Sequence, residues 1–130
     1  MVKHISGCVI IKDHKILLLY KRNKSYYELP GGKVKPGETP EQAAVREANE
    51  EIGCDVIIKK DLGMFRFEND GVIISHAFLA EIIKGRPAIK EPEVFDHLRW
   101  IPVDNPQQFP LAPNIAHFLS MLSSEVLPDF

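Results

Sequence analysis

Several absences limit what this 130-residue chain can be. It contains only two cysteines, Cys8 and Cys54, so a disulfide-stapled secreted scaffold is not expected. The apolar run 8–11 near the start is too short for a signal peptide or a membrane span. We therefore expect a soluble protein of a reducing compartment, the cytoplasm, with no membrane partner.

The chain also lacks an excess of charge of one sign. Its 18 Asp and Glu residues nearly balance its 16 Lys and Arg residues, which gives a formal net charge of −2. Such a chain has no global attraction to a nucleic acid polymer, so any phosphate recognition must be local. No repeat, linker or low-complexity tract divides the sequence, and its length predicts a single domain over 1–130 with one site. Monomer and homodimer both stay open.

Turn signals separate strand-like segments in both halves of the chain. Asp13 and His14 lie between two apolar runs and predict an N-terminal hairpin. The tripeptide Asn69-Asp70-Gly71 lies between two β-rich segments and predicts a second hairpin. A turn-like stretch over 84–93 precedes another predicted strand at about 98–103.

Two helices complete the predicted elements. One covers the centre of the chain, and the other follows Pro113 with apolar residues at helical spacing, namely Ile115, Phe118, Leu119 and Leu122. About six strands and two helices in mixed order imply a sheet covered by helices. The predicted fold class is therefore an α/β or α+β sandwich.

Both ends of the central helix are strongly specified. Thr39 and Gln42 form a capping box, and Pro40 occupies the first helical position, where its missing N–H costs nothing. Gly53 suits the left-handed position just after a helix. The sequence therefore predicts a helix from about Pro40 to Ile52.

The last turns of this helix carry an unusual density of acid. Glu47, Glu50 and Glu51 stand at i, i+3 and i+4 on one side. Like charges at these spacings cost about 0.2–0.5 kcal/mol per pair, and acids in a last turn oppose the helix dipole by about 0.3–1 kcal/mol each. A solvated face, with Arg46 paired to Glu50, is the simpler interpretation. The alternative is a divalent metal site, because oxygen ligands select Mg²⁺ or Mn²⁺ over zinc.

The stretch "GKVKPGETPEQAAVREANEEIGC" resembles a known motif. It is similar to the Nudix box, with apolar Ala48 and Cys54 at the variable positions and "YELPGG" as a similar lead-in. The fixed positions of that motif are all present: Gly32, Glu38, Arg46, Glu47, Glu50, Glu51 and Gly53. The resemblance implies a Nudix-type α/β/α sandwich with a mixed β-sheet between helices, and hydrolysis of a nucleoside diphosphate linked to another group.

The resemblance also implies roles for individual residues. Glu47, Glu50 and Glu51 would coordinate Mg²⁺, with Mn²⁺ as the alternative ion, helped by the backbone carbonyl of Gly31. Arg46 would orient a carboxylate, Glu38 would brace the loop against the helix, and Gly53 would end the helix.

A catalytic base must take a proton from the attacking water. Glu91 and Glu93 are candidates, since many members of the family take an extra glutamate from a corresponding loop. Two solvated loop acids are the simpler interpretation. Glu47 and Glu50 remain competing catalytic carboxylates, and the sequence does not separate these alternatives.

Substrate-binding candidates follow from residue chemistry and, for Arg22 and Asn114, from the MutT-type members, which this box resembles most. Arg22, Lys33 and the backbone at Gly32 would contact phosphates, and Asn114 would read a base edge. For Arg22 and Lys33 a solvated surface position is an equal alternative. The first-ranked reaction is hydrolysis of a nucleoside triphosphate, including oxidised dGTP, to monophosphate and pyrophosphate.

Other substrates and another class of protein remain as alternatives. An ADP-ribose or dinucleotide polyphosphate pyrophosphatase ranks second, because 69–72 lacks the proline or tyrosine those groups often show. A non-catalytic nucleotide-sensing domain ranks below both, since such domains more often lose box carboxylates.

Overall fold

The computed structural model describes residues 2–122. It contains two α-helices, α1 (Pro40–Ile52) and α2 (Ile115–Ser120), and a short 3-10 helix at Pro106–Gln108. Its seven strands are β1 (Val2–Lys12), β2 (Lys15–Lys21), β3 (Tyr26–Glu28), β4 (Gly31–Lys33), β5 (Asp55–Glu68), β6 (Val72–Lys84) and β7 (Phe95–Pro102). Within 2–122, no helix is long and apolar enough to span a membrane.

The strands form one mixed sheet. Their order is β3-β2-β1-β6-β5, with β4 also paired to β1 and β7 to β2. Strands β1 and β6 are parallel, whereas the other pairs are antiparallel. Both predicted hairpins are confirmed, because Lys12 pairs with Lys15 and Glu68 pairs with Val72 across the expected turns. The sheet has one strand more than the approximate six that the sequence predicts.

Alternate residues of β1 serve two separate cores. Cys8 and Ile10 pack in the cluster that contains the buried face of α1, and Val9 and Ile11 pack in the cluster that contains α2. Successive side chains of a strand point to opposite faces, so the sheet lies between the two helices. The predicted α/β/α sandwich is confirmed.

The helix ends follow local chemistry to different degrees. The Thr39 hydroxyl accepts from the Gln42 N–H at 3.1 Å, the Gln42 side chain accepts from the Thr39 N–H at 2.9 Å, and Gly53 has φ 70°. Helix α1 therefore has the predicted bounds. Helix α2 is shorter than its apolar pattern indicates, and Leu122 lies beyond its end while still packing against the same core.

Candidate active site

Two glycines of β4 bring the backbone against the acids of α1. The Gly31 N–H donates to Glu51 Oε1 at 2.8 Å. A side chain at Gly31 would overlap the carbonyl of Ser6, and one at Gly32 would overlap the carboxylate of Glu47. At Gly31 only glycine permits this approach because the overlapped atoms are backbone, and at Gly32 a side chain would displace the Glu47 carboxylate. The motif's first residues and the end of α1 therefore form one unit.

Glu51 is the most buried acid of this unit, with 5% of the residue exposed. Burial raises its pKa to about 9, the negative charges of Glu47, Glu28 and Glu91 act in the same direction, and the hydrogen bond from Gly31 opposes them. Four carboxylates therefore influence one region. The clustering comes from the fold, because Glu28 and Glu91 are far from α1 in sequence.

Arg46 supplies the main positive charge beside these acids. Its guanidinium donates to both oxygens of Glu38, at 2.7 and 3.0 Å, and to the carbonyl of Lys33 at 3.0 Å. The hydrogen bonds from Arg46 lower the pKa of Glu38 to about 2. The third nitrogen, Nη1, donates to Glu47 at 2.6 Å and to Glu50 at 3.2 Å. Arg46 thus joins the loop before α1 to its acidic side, and the pairing with Glu50 expected on a solvated face is present within this larger network.

The donor set suits a hard divalent cation. Glu47, Glu50, Glu51 and the backbone at Gly31 offer only oxygen ligands, which Mg²⁺ prefers. Burial raises the pKa of Glu47 as well, so bringing a cation to this region would relieve charge that the protein alone stabilises poorly. Arg46 engages Glu47 and Glu50, and among the residues 2–122 no three acidic, histidine or cysteine side chains converge on one point.

The loop that carries the two candidate bases is tied to the end of α1. The Ala88 N–H donates to the carbonyl of Ile52 at 3.1 Å, and the Lys90 N–H donates to that of Glu51 at 3.0 Å. Glu91 follows directly, and its charge acts on the Glu51 carboxyl. Glu93 is exposed and does not contribute to that shift. The fold brings Glu91 to the acids of α1 and leaves Glu93 farther along the loop.

Arg22 binds this same loop through both its side chain and its backbone. Its guanidinium pairs with Asp96 at 3.0 Å and donates to the Pro92 carbonyl at 3.0 Å, while its N–H donates to the carbonyl of Val94 at 2.9 Å. The side chain does not line the cavity beside the glycines. Arg22 therefore holds 92–96 against β2.

A cavity of about 270 Å³ opens beside the glycines. Its lining includes Gly31, Gly32, Lys21, Lys24, Lys33, Phe67, Ser75 and Asn114. Asn114 is buried, and its Nδ2 donates to Ser75 Oγ at 2.8 Å. Among the described residues, Asn114 Oδ1 has no hydrogen-bond partner. A buried carbonyl oxygen of this kind is costly unless a ligand donates to it.

A family model of the NUDIX domain matches residues 3–122. This chain belongs to the Nudix family. Its curated relatives include the uncharacterized Nudix hydrolase YvcI of Bacillus subtilis, 29% identical over 127 residues, with 93% of this chain and 79% of that protein covered. The crystal structure of a MutT Nudix hydrolase from Burkholderia pseudomallei superposes with a TM-score of 0.85 at 27% identity and covers 95% of this chain and 99% of the other.

Two further relatives carry names that specify different substrates. The CTP pyrophosphohydrolase of Escherichia coli is 32% identical over 114 residues, covering 84% of this chain and 82% of that protein. The ADP-ribose pyrophosphatase of Methanocaldococcus jannaschii is 40% identical over 98 residues, covering 68% of this chain and 58% of that protein. The chain is a Nudix hydrolase of the pyrophosphohydrolase type, and its relatives do not agree on a substrate.

Several residues of the candidate site were missed by sequence reasoning. The charge of Glu28 acts on the Glu51 carboxyl and its carboxylate pairs with Lys21 at 3.6 Å, and Lys24 and Ser75 line the cavity. Glu28 is part of the Tyr-Glu-Leu-Pro-Gly-Gly lead-in, and this position was the one available signal. The others come from strands and turns whose neighbours are set by sheet pairing.

Proposed function

We propose that this protein hydrolyses nucleoside triphosphates to the monophosphate and pyrophosphate, with Mg²⁺ as the cofactor and Mn²⁺ as its alternative. The observation that carries the proposal is the set of residues that line one cavity. Lysines and the box glycines line part of it, and a buried amide with an unpartnered oxygen lines another part. These are the groups that a triphosphate and a base require.

The chain's own residues divide the chemistry between them. Glu47, Glu50 and Glu51 would hold the cation, which supplies charge neutralisation to the phosphates. Lys24 and Lys33 would bind phosphate oxygens from the cavity wall. A water oxygen forms a new bond to phosphorus, its proton passes to a carboxylate, and the P–O bond to the departing pyrophosphate breaks.

Glu91 is the carboxylate we assign to that proton. Its backbone position is fixed by the Lys90 hydrogen bond to α1, and its charge already acts at Glu51. Glu93 has neither support. Glu47 is less suited, since Arg46 engages its carboxylate at 2.6 Å.

The base would bind between Asn114 and Phe67. The Ser75 hydroxyl can donate or accept, so either end of the Asn114 amide can face it, and the other end faces the ligand. Phe67 is half-buried in the same wall and offers a ring for stacking. A purine edge, including that of oxidised guanine, fits such an amide.

The decisive experiment is a substrate panel with separate assays for pyrophosphate, orthophosphate and nucleotide products. The panel contains the nucleoside triphosphates, 8-oxo-dGTP, ADP-ribose and diadenosine polyphosphates. We expect Mg²⁺-dependent pyrophosphate release, reduced by about 10²-fold or more in Glu50→Gln and Glu51→Gln. Glu41→Gln, the same change in the first turn of α1, is the matched control and retains activity. Full activity in either acid variant would overturn the metal assignment.

A second comparison separates the two loop acids. Glu91→Gln should lower kcat by about 10²–10⁴-fold and remove the acidic limb of the pH–rate profile, as expected for a general base. Glu93→Gln should behave as the wild type. The reverse result would identify Glu93 as the general base. Wild-type activity in both variants would leave Glu47 as the candidate general base.

ADP-ribose is the second candidate substrate, because the relative with that name is 40% identical over its matched region. Turnover of ADP-ribose to AMP and ribose phosphate, without pyrophosphate release from any triphosphate, would favour it. Nucleotide binding with no turnover across the whole panel would favour the sensing role.

A further inference from the structure

A second cavity lies toward the other end of β1 from the acidic site. It has a volume of about 490 Å³ and is lined by Lys12, Asp13, Lys15, Arg86, Pro87 and Trp100, together with Gly85. Strand β4 pairs with residues 5–7 of β1, whereas the cavity begins at Lys12. At about 3.3 Å per residue, the two sites are separated by about 17 Å along the strand.

The strand register places the aromatic and basic groups on one face. Lys12 is opposite Lys15, and Trp100 is opposite Leu17, two residues after Lys15. Directly opposed residues of an antiparallel pair share a face, and so do residues two apart. The two lysines therefore rise from the same face of the sheet as the half-buried Trp100 ring.

The opposite wall is a loop fixed to the end of α1. Gly85 has φ 98°, and a Cβ there would lie 2.6 Å from the carbonyl oxygen of Gly53. The Ala88 N–H donates to the carbonyl of Ile52. Arg86 and Pro87 lie between these two attachments, so they form a stable wall facing Trp100.

The local electrostatics favour an anionic ligand. Lys12 and Lys15 are like charges directly opposite each other, an arrangement that destabilises a hairpin. Neither they nor Arg86 form an ion pair with any acid in the described part of the chain. Three cations thus face one carboxylate lining the cavity, that of Asp13, in a protein of net charge −2.

We propose that this cavity is a second binding site, which takes a nucleoside monophosphate. Its base would stack on Trp100, and its phosphate would bind Lys12, Lys15 and Arg86. Stacking on an aromatic ring beside cationic side chains is the usual way to bind a nucleotide without selecting one base. The volume is that of a small-ligand pocket. The site needs no acid of α1 and stands apart from the proposed reaction.

Trp100 provides a direct test, because it is the only tryptophan in the sequence. Its fluorescence is measured while AMP, GMP, CMP or UMP is added to the full chain. We expect saturable quenching, with the dissociation constant raised about tenfold or more in Lys15→Gln/Arg86→Gln. Lys60→Gln/Arg66→Gln is the matched control, since it removes two exposed charges from β5 outside this cavity, and its affinity should equal that of the wild type.

The possible results discriminate clearly. Inorganic phosphate should compete only weakly, because it cannot stack on the ring. No saturable change, or equal affinity in the Lys15/Arg86 variant and its control, would overturn the site. Phosphate binding as tightly as the nucleotides, or a short single-stranded oligonucleotide binding far more tightly, would overturn the assignment to a mononucleotide. Hydrolysis of triphosphates should be retained in both double variants, so this outcome is independent of the proposed function.

Discussion

The two ends of α1 obey different rules. At the first end, Thr39 and Gln42 satisfy each other's backbone N–H groups, and Glu41 complements the helix dipole. At the last end there is no basic residue, and Glu50 and Glu51 oppose the dipole. One helix therefore combines an end whose side chains stabilise it with an end whose acids oppose the helix dipole and are neutralised only in part, by Arg46.

This difference teaches how to separate structural from functional side chains. A residue that improves its local structure needs no further explanation. A residue that worsens it, and that the fold nevertheless buries, is a candidate for binding a ligand. Glu51 is the clearest case, because burial raises its pKa while the backbone N–H of Gly31 still aims at its carboxylate.

The largest effect should appear when the acidic end is neutralised. A carboxyl whose pKa is raised to about 9 in the folded state stabilises the fold at low pH and loses that contribution as pH rises toward 9. In EDTA, the thermal midpoint of the wild type should therefore decrease as the pH is raised from 5 to 9. The thermal midpoint of Glu51→Gln should decrease much less over this range, so that this variant is more stable than the wild type at pH 8.5.

Magnesium and a matched variant sharpen that result. Adding Mg²⁺ at pH 8.5 should raise the midpoint of the wild type and change that of Glu51→Gln little, because binding to the folded state alone is stabilising. Glu41→Gln at the opposite end should keep the wild-type pH profile. Identical profiles for all three proteins would contradict the unfavourable burial of Glu51.

An intermediate effect is expected at Arg46, which joins the two ends. Arg46→Gln removes the paired hydrogen bonds to Glu38 and the contact with Glu47, and should lower the free energy of unfolding by about 1–3 kcal/mol. Arg46→Lys should restore only part of this, since an ammonium cannot reproduce the forked geometry. Chemical denaturation measures the free energy of unfolding of both variants, and Arg66→Gln is the control at an exposed position. Full rescue by lysine would show that charge alone matters.

The smallest effect should come from the first end. Thr39→Ala removes the cap and should cost about 1 kcal/mol of stability while leaving kcat unchanged. Thr39→Ser keeps the hydroxyl and should behave as the wild type in denaturant titrations. A large loss of activity in Thr39→Ala would erase the contrast between the ends.

Local features of the sequence were sufficient for much of the fold. Thr39, Pro40 and Gly53 determine the bounds of α1 because each acts on backbone groups within one turn. The turn residues between β1 and β2 and between β5 and β6 likewise act locally. Helix α2 was overestimated, since an apolar spacing continues to Leu122 although the helix ends at Ser120.

Local patterning reached the candidate site only where it lies on one element, whereas Glu91 and Asn114 were named through the family resemblance. Glu47, Glu50 and Glu51 share α1, and their spacing raised a cation site as the alternative to a solvated face. The approach of Glu28 and Glu91, the pairing of Arg22 with Asp96, and the contact between Asn114 and Ser75 depend on how distant strands and loops meet. The hydrophobic periodicity and the composition of the sequence contain no information about these long-range contacts.

The parallel pairing of β1 and β6 has a consequence for how the chain folds. Val2 pairs with Val72 and Ile10 with Ala80, so this pairing must close a loop of about seventy residues. Closure of that length is entropically costly, and chains dominated by distant contacts fold slowly. The β5–β6 hairpin, whose strands adjoin in sequence, is expected to form early. Helix α1 lies within the loop being closed, so the acidic site should be assembled among the last parts of the molecule.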